Sequence, residues 1–431
     1  METRVPRWRW LMAQLTRRLW VRATLIGGLG VLAAILAAVV ERYIPWDMPA
    51  SISADAVDSL LTIIASSMLA VTTFSLSVMV SAYGSATSNV TPRATKLLVE
   101  DRLTQTVLST FIGSFLFGIV GLIVLKTGAY GERGRVVLFI VTIAVIALVV
   151  ISLLRWIDHL TRLGRVGETT DRVEEATRQA IEARLDEPYL GGAPLHDRDS
   201  AVPPGAVMIS AYTIGYIQHV DMSALSGFCD AYDTTVFVNA VPGTFVYPHT
   251  PLVWIGGTKD TKDTEAIREK ISAAFSIGDE RSFDQDPRFG LAVMSEIGSR
   301  ALSPATNDPG TAIDVIGRTT RLLSIWARGC DQDAPEEQKY PRVHVPPLTT
   351  ADLFEDAFML MARDGAGLIE VQLRIQKALM ALARMDNDAV RTAALRQSRM
   401  ALDRAEVVMA LEADKMRLRE LVGADLGSAA E

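Results

Sequence analysis

The sequence predicts an α-helical membrane protein: four transmembrane helices followed by a cytoplasmic α+β part, which combines a small β barrel-sandwich-like module with a helical domain. Three observations carry that class. Four stretches run free of charge for the roughly 17–25 residues that a bilayer-crossing helix needs. Basic residues gather on one side of those stretches. The chain is nonetheless 22% charged and 49% hydrophobic over 431 residues, with a mean hydropathy of +0.23, which fits apolar spans joined to an ordinary water-soluble part. A formal net charge of −7 argues against a generally basic nucleic-acid binder. Two cysteines, Cys229 and Cys330, are too few for a disulfide framework or a cysteine-based zinc site, and they fit a reducing compartment.

Residues 1–22 read as a cytoplasmic or interfacial helix with Trp8, Leu11, Leu15 and Leu19 on its apolar side. The four-helix domain occupies 23–157, with spans Ala23–Val40, Ser59–Ser81 (uncharged as far as Pro92), Leu103–Leu125 and Val136–Leu154. Arg4, Arg7, Arg9, Arg17, Arg18, Arg22, Arg93, Lys96, Arg102, Arg155, Arg162, Arg165 and Arg172 flank the spans on one side. Only Arg42, Lys126, Arg133 and Arg135 flank them on the other. That asymmetry puts both termini in the cytoplasm. Trp8, Trp10, Trp20, Trp46 and Trp156 adjoin span ends, where an indole prefers the headgroup layer. A cleaved signal peptide fits poorly, since span one is long and three more follow.

The second span differs from the others. It carries Thr62, Ser66, Ser67, Thr72, Thr73, Ser75, Ser77 and Ser81, and its hydroxyls repeat with an offset of eleven: Thr62 and Thr73 lead to Gly84, Ser66 and Ser77 to Ser88. Eleven residues make about three turns at 3.67 per turn, so these positions form one nearly straight stripe. One reading makes Thr62, Ser66, Thr73, Ser77 and Ser81 the lining of a water-filled path. The other is helix packing against the small residues of span three, Ser109, Gly113, Ser114, Gly118 and Gly121. No ionisable residue lies well inside any span, which disfavours a proton-coupled pump and leaves a passive channel or a membrane-anchored sensor.

Residues 158–204 read as a stalk helix continuing span four, then a Gly- and Pro-containing linker. A small β module follows at 205–257, with β-prone runs at Val207–Ile209, Tyr216–Val220, Thr235–Val241 and Leu252–Ile255. Its pieces Gly215-Tyr-Ile, Pro242-Gly-Thr-Phe-Val and Pro251-Leu-Val-Trp resemble the barrel-sandwich modules of lipoyl and biotinyl domains. Residues 202–258 contain no lysine, so no such group can be attached and no cofactor is expected. His219 and His249 lack a carboxylate or thiolate set spaced around them, so no metal is expected either.

Residues 258–328 read as a helical domain with two polar loops, 277–287 and 302–310. Asp286 before Pro287 and Asp308 before Pro309 are helix starts. Those starts leave Asp279, Glu280, Arg281, Asp284 and Asn307 unaccounted for, and Asp279, Glu280, Asp284 and Asn307 form a candidate regulatory cluster for an ion or small ligand. Asp284-x-Asp286 does not begin an EF-hand, because Phe289 and Ser295 stand at its sixth and twelfth positions. A linker at 329–350 precedes a C-terminal helical hairpin at 351–431, built from Leu368–Met385 and Ala389–Leu421 and suited to an oligomer contact. Phosphate-loop, nucleophile-elbow, His-Glu-x-x-His and dinucleotide signatures are all missing, so no catalytic residue is named and no enzyme is expected.

Four stretches together resemble the bacterial family of predicted inner-membrane proteins catalogued as domain of unknown function 2254. They are Thr72-Thr-Phe-Ser-Leu-Ser77, Thr91-Pro-Arg93 with Asp101-Arg-Leu-Thr104, Ile277-Gly-Asp-Glu-Arg281 with Asp284-Gln-Asp-Pro287, and Arg300-Ala-Leu-Ser-Pro-Ala-Thr-Asn-Asp-Pro309. The resemblance implies a four-span membrane protein with a cytoplasmic β and helical part, and it brings no substrate, reaction or catalytic residue. The functional expectation is a homo-oligomer in the inner (plasma) membrane, a channel-like passive conduit with a cytoplasmic regulatory domain. The alternative is a non-conducting scaffold or sensor that binds a ligand or partner through residues 186–431.

Overall fold

The computed structural model describes residues 10, 12, 15–16, 19–40, 53–99, 101–128, 130–257, 264–330 and 338–428. The chain divides into two compact units. One is Leu11–Ser88 with Pro92–Thr169, and the other is Met1–Trp10, Asn89–Thr91 and Thr170–Glu431.

The first unit is helical: α1 (Leu19–Val40), α2 (Ala54–Asn89), α3 (Pro92–Val99), α4 (Arg102–Lys126) and α5 (Glu132–Leu160). All but α3 are long and apolar enough to cross a membrane, and they contain the four expected spans. The most buried of the four is α4, around which the other three are arranged. Because apolar side chains gain little by leaving lipid, such helices associate through close backbone approach. Here α1 meets α4 at glycines: a Cβ built on Gly30 would lie 2.5 Å from the Gly113 carbonyl oxygen, and one on Gly113 would lie 3.0 Å from Ile26 Cγ2. In the same way α2 approaches α4 where Gly118 faces Ala65 and Leu61. Tyr130, between α4 and α5, is buried and donates to the Ala34 carbonyl at 2.5 Å. Burial pushes its phenol up to about 12.

Two expectations need correction in this region. Span four does not continue as one stalk: α5 ends at Leu160 and α6 (Val166–Asp186) starts afresh. Between them Gly164 adopts φ +78, and a Cβ there would lie 2.9 Å from the Ala82 carbonyl oxygen, so the turn needs glycine twice over. Of the N-terminal helix, Trp10, Met12, Leu15 and Thr16 are helical, while Trp8 and Leu11, like Arg42 and Trp46, lie outside the described residues. Trp10 is 6% exposed and does not present its ring to a headgroup layer. It stacks on His219, with centroids 5.2 Å apart, and donates to Asp284 Oδ2 at 2.9 Å, all within the second unit.

Beyond α6 the second unit runs through a tight turn at Pro188–Gly191, β1 (Gly192–Pro194), α7 (Arg198–Ala201), β2 (Val207–Ser210), β3 (Gly215–Val220), α8 (Met222–Tyr232), β4 (Thr235–Val238), β5 (Phe245–Val246) and β6 (Pro251–Gly256). Next come α9 (Thr264–Ala273), β7 (Phe275–Gly278), α10 (Pro287–Ala301), α11 (Pro309–Gly329) and β8 (Tyr340–Val345). The chain closes with α12 (Thr350–Asp364), α13 (Ile369–Ala383), α14 (Asp388–Val408) and α15 (Glu412–Ser428). The four β-prone runs are strands, but they do not close into a barrel-sandwich within 205–257. They join a mixed five-stranded sheet in the order β1-β8-β4-β6-β2 and a three-stranded antiparallel sheet β5-β3-β7, with α8 between β3 and β4. Both expected linkers thus supply strands, β1 at the edge and β8 in parallel between β1 and β4. Val343 and Val345 of β8 are fully buried with Ile209, Val236 and Ile255, a two-residue alternation that Pro341 and the acidic stretch before it obscure. The C-terminal hairpin is four helices instead. Gly365–Leu368 and Met409–Leu411 interrupt the pattern, and Ser398 of α14 donates to Gln376 Oε1 of α13 at 2.6 Å.

Candidate functional site

The expected stripe on α2 is exposed in this chain: Thr62, Ser66, Thr73, Ser77 and Ser81, with Gly84 and Ser88 beyond them. The buried positions are Val57, Leu61, Ile64, Ala65, Met68, Ser75, Met79 and Ala86. At about 100° per residue the two sets lie roughly opposite one another. Packing inside the chain therefore does not account for the stripe. Span three does use its small residues, but Gly118 and Gly121 meet Leu61 and Ala65 on the buried face of α2, and Gly113 meets Ile26 of α1. Several stripe hydroxyls donate back along the helix, as serine and threonine do where no other acceptor is near. Ser66 bonds the Thr62 carbonyl at 2.8 Å, Thr73 that of Leu69 at 2.9 Å and Ser88 that of Gly84 at 2.9 Å. Their donors are occupied, and their oxygens remain as acceptors.

The four residues expected to form a regulatory cluster have separate partners. Asp279 and Glu280 are exposed just after β7, and the Glu280 carbonyl accepts from Gln218 at 2.7 Å. Asp284 accepts from Trp10 and, at 3.0 Å, from Ser282. Asn307 sits exposed in the next polar loop with φ +49, its N–H bonded to the Ser303 carbonyl at 2.8 Å. Among the described residues no group of three or more His, Cys, Asp or Glu is placed to hold a metal ion.

The polar loops do their visible work through the neighbouring acids. Asp308 caps α11, accepting the Thr311 N–H at 3.0 Å, and Asp286 caps α10, accepting that of Phe289 at 3.1 Å. Asp286 is 3% exposed, and Arg281 grips it with two bonds, Nε to Oδ2 at 2.7 Å and Nη2 to Oδ1 at 2.9 Å. Burial pushes its carboxyl above the ordinary carboxylate range, against the pull of Arg281. The carboxylate lies so close to Gly243, at φ +91, that a Cβ there would fall 2.4 Å from Oδ2.

Another pairing joins residues far apart in sequence. Asp101, N-cap of α4, accepts from the Thr104 N–H at 2.8 Å and its hydroxyl at 2.6 Å, and His159 of α5 brings Nε2 to 3.1 Å from the same carboxylate oxygen. Asp101-x-x-Thr104 announces the cap, but nothing in the sequence announces that His159 comes to it. Thr91 likewise donates to Glu296 at 3.0 Å. The stretches around residues 91–104 and 277–287 are therefore places where capping and tertiary bonds meet.

Comparison with known proteins covers part of the chain. It is 27% identical over 251 residues to uncharacterized proteins of Mycobacterium tuberculosis (strain CDC 1551 / Oshkosh) and Mycobacterium bovis, an alignment covering 56% of this chain and 47% of each relative. The chain thus spans about half the length of the curated relatives it matches. No solved structure matches it. The family profile described as "Predicted membrane protein (DUF2254)" matches residues 16–381 and so takes in the four candidate spans, both sheets and most of the helices after them. The chain belongs to that family of predicted membrane proteins.

Proposed function

We propose that the protein is a non-enzymatic homo-oligomer of the bacterial inner membrane, its termini cytoplasmic, in which α2 of each copy lines a channel-like passive conduit under the control of the cytoplasmic part. The observation that carries this is the hydroxyl stripe on the α2 face turned away from the rest of the chain. The hydroxyls of that face gain little from lipid, although Ile63, Leu69, Phe74 and Val80 are exposed beside them, and copies of the helix around a water-filled path would hydrate them. The distribution of arginine and lysine supports the orientation. With donors of Ser66, Thr73 and Ser88 turned back to the helix, the oxygens left outward favour water and cations over anions.

The test is ion flux from liposomes holding the purified protein, under voltage, tension and salt gradients. Ser77→Trp on the stripe is expected to cut flux at least tenfold with assembly intact. Leu154→Trp, on the exposed face of α5, is expected to leave it unchanged. Wild-type liposomes that stay tight under every condition, or flux indifferent to bulk at Thr73 and Ser77, would overturn the conduit and leave the scaffold or sensor reading.

A further inference from the structure

A cavity of about 340 Å³ opens in the second unit between the turn at 241–244, the loop at 281–288 and the segment at 346–352. Arg184, in the last turn of α6, forms part of its wall. This side chain is unusual for a cation: it is 7% exposed, its one hydrogen bond runs from Nη2 to the Gln285 carbonyl at 3.1 Å, and it makes no ion pair among the described residues. Two other arginines of the same wall are already balanced. Arg281 holds Asp286, and Arg288 bonds Asp352 at 2.8 Å and Asp356 at 2.6 Å. Arg184 is therefore the guanidinium of this wall with no carboxylate in bonding contact, although Arg288 holds two and the three arginines and three aspartates together carry no net charge.

A cation in the last turn of a helix gains a little from the helix dipole, much less than burying an ion costs. The cost is visible in the guanidinium itself, which burial pushes down to about 10 although Asp286 pulls the other way. Buried arginines without a paired carboxylate are rare for that reason.

We propose that this cavity binds the oxyanion of a small molecule, a phosphate or a carboxylate, and that Arg184 recognises it. The planar guanidinium still has four of its five N–H donors to offer, and it matches an oxyanion edge with two parallel bonds. The volume is that of a small-molecule site, and the wall at Pro346 and Pro347 supplies a stiff apolar side for the rest of the ligand. This site is separate from the α2 stripe, and its occupancy is read without measuring flux, so the two proposals stand or fall independently.

The experiment is equilibrium dialysis of the full chain in detergent against inorganic phosphate and, separately, citrate, with chloride at matched ionic strength as the blank. Saturable binding of one anion per chain is expected, and whichever probe binds distinguishes phosphate from carboxylate. Arg184→Met should weaken it at least tenfold, and Arg391→Met, at a partly exposed position on α14, should not. Without ligand, Arg184→Met should unfold no earlier than wild type, because it removes a buried charge that has no carboxylate in bonding contact; a purely structural arginine would lower the midpoint. Thr349→Trp keeps every charge, narrows the cavity from its exposed rim and should also weaken binding tenfold, which decides the matter if Arg184→Met fails to fold. Neither anion binding saturably, or both variants binding as wild type does, would refute the site.

Discussion

Gly30→Leu is expected to separate α1 from α4 and to lower the thermal midpoint of the full chain sharply, while Gly28→Leu two residues earlier leaves it within error. The contrast is geometric. A Cβ at Gly30 would lie 2.5 Å from the carbonyl oxygen of Gly113, which is backbone and cannot rotate aside, whereas a Cβ at Gly28 meets nothing within 4 Å. Overpacking a well-filled core costs about 1–3 kcal/mol, and an obstacle made of backbone belongs at or above the top of that range. Both leucines raise the hydropathy of α1 equally, so membrane affinity does not distinguish them. Thermal unfolding in detergent checks the pair, and equal midpoints would mean that α1 and α4 do not cross at these glycines.

Asp286→Ala carries the second large expectation. Asp286 and Asp308 are both aspartates capping a helix whose first residue is proline, and losing such a cap costs about 1 kcal/mol. They differ in surroundings: Asp308 is exposed, while Asp286 is 3% exposed and held by Arg281, with Arg184 nearby. Removing one partner of a buried ion pair costs up to about 3–5 kcal/mol, and Arg281, 21% exposed, would lose its carboxylate partner where water is only partly available. Asp286→Ala should therefore destabilise the protein several times more than Asp308→Ala. Asp286→Asn, which can still cap, should recover only the smaller share. Unfolding in guanidinium measures all three, and similar losses for the two alanines would show that the buried pair adds nothing beyond the cap.

The legible and illegible parts of this chain divide along physical lines. The spans were legible because a bilayer core demands a length of uncharged sequence, and α1, α2, α4 and α5 contain the expected segments. The caps at Asp286 and Asp308 were legible because they need only Asp-Pro and an adjacent helix. The stripe was legible as a period, though its direction was not, since outward and inward faces of a span have the same spacing. Strand β8 was hidden because its alternation is short and its partners β1 and β4 lie about a hundred residues or more upstream. Arg184 was hidden more deeply. It sits in a helix rich in charge, where arginine is ordinary, and its burial depends on loops that arrive a hundred residues later. The meeting of His159 with Asp101 was invisible for the same reason.

The glycine crossing of α1 and α4 also sets a timetable for biogenesis. Gly30 and Gly113 are 83 residues apart, so at about 5–20 residues per second the ribosome delivers the partner surface roughly 4–17 s after the first. During that interval α1 waits with the notch around Gly27 and Gly30 unfilled, and α2 is made before that notch can close. The first span made is thus completed by the third, and the pace of translation between those two glycines becomes part of how the native helix order is reached.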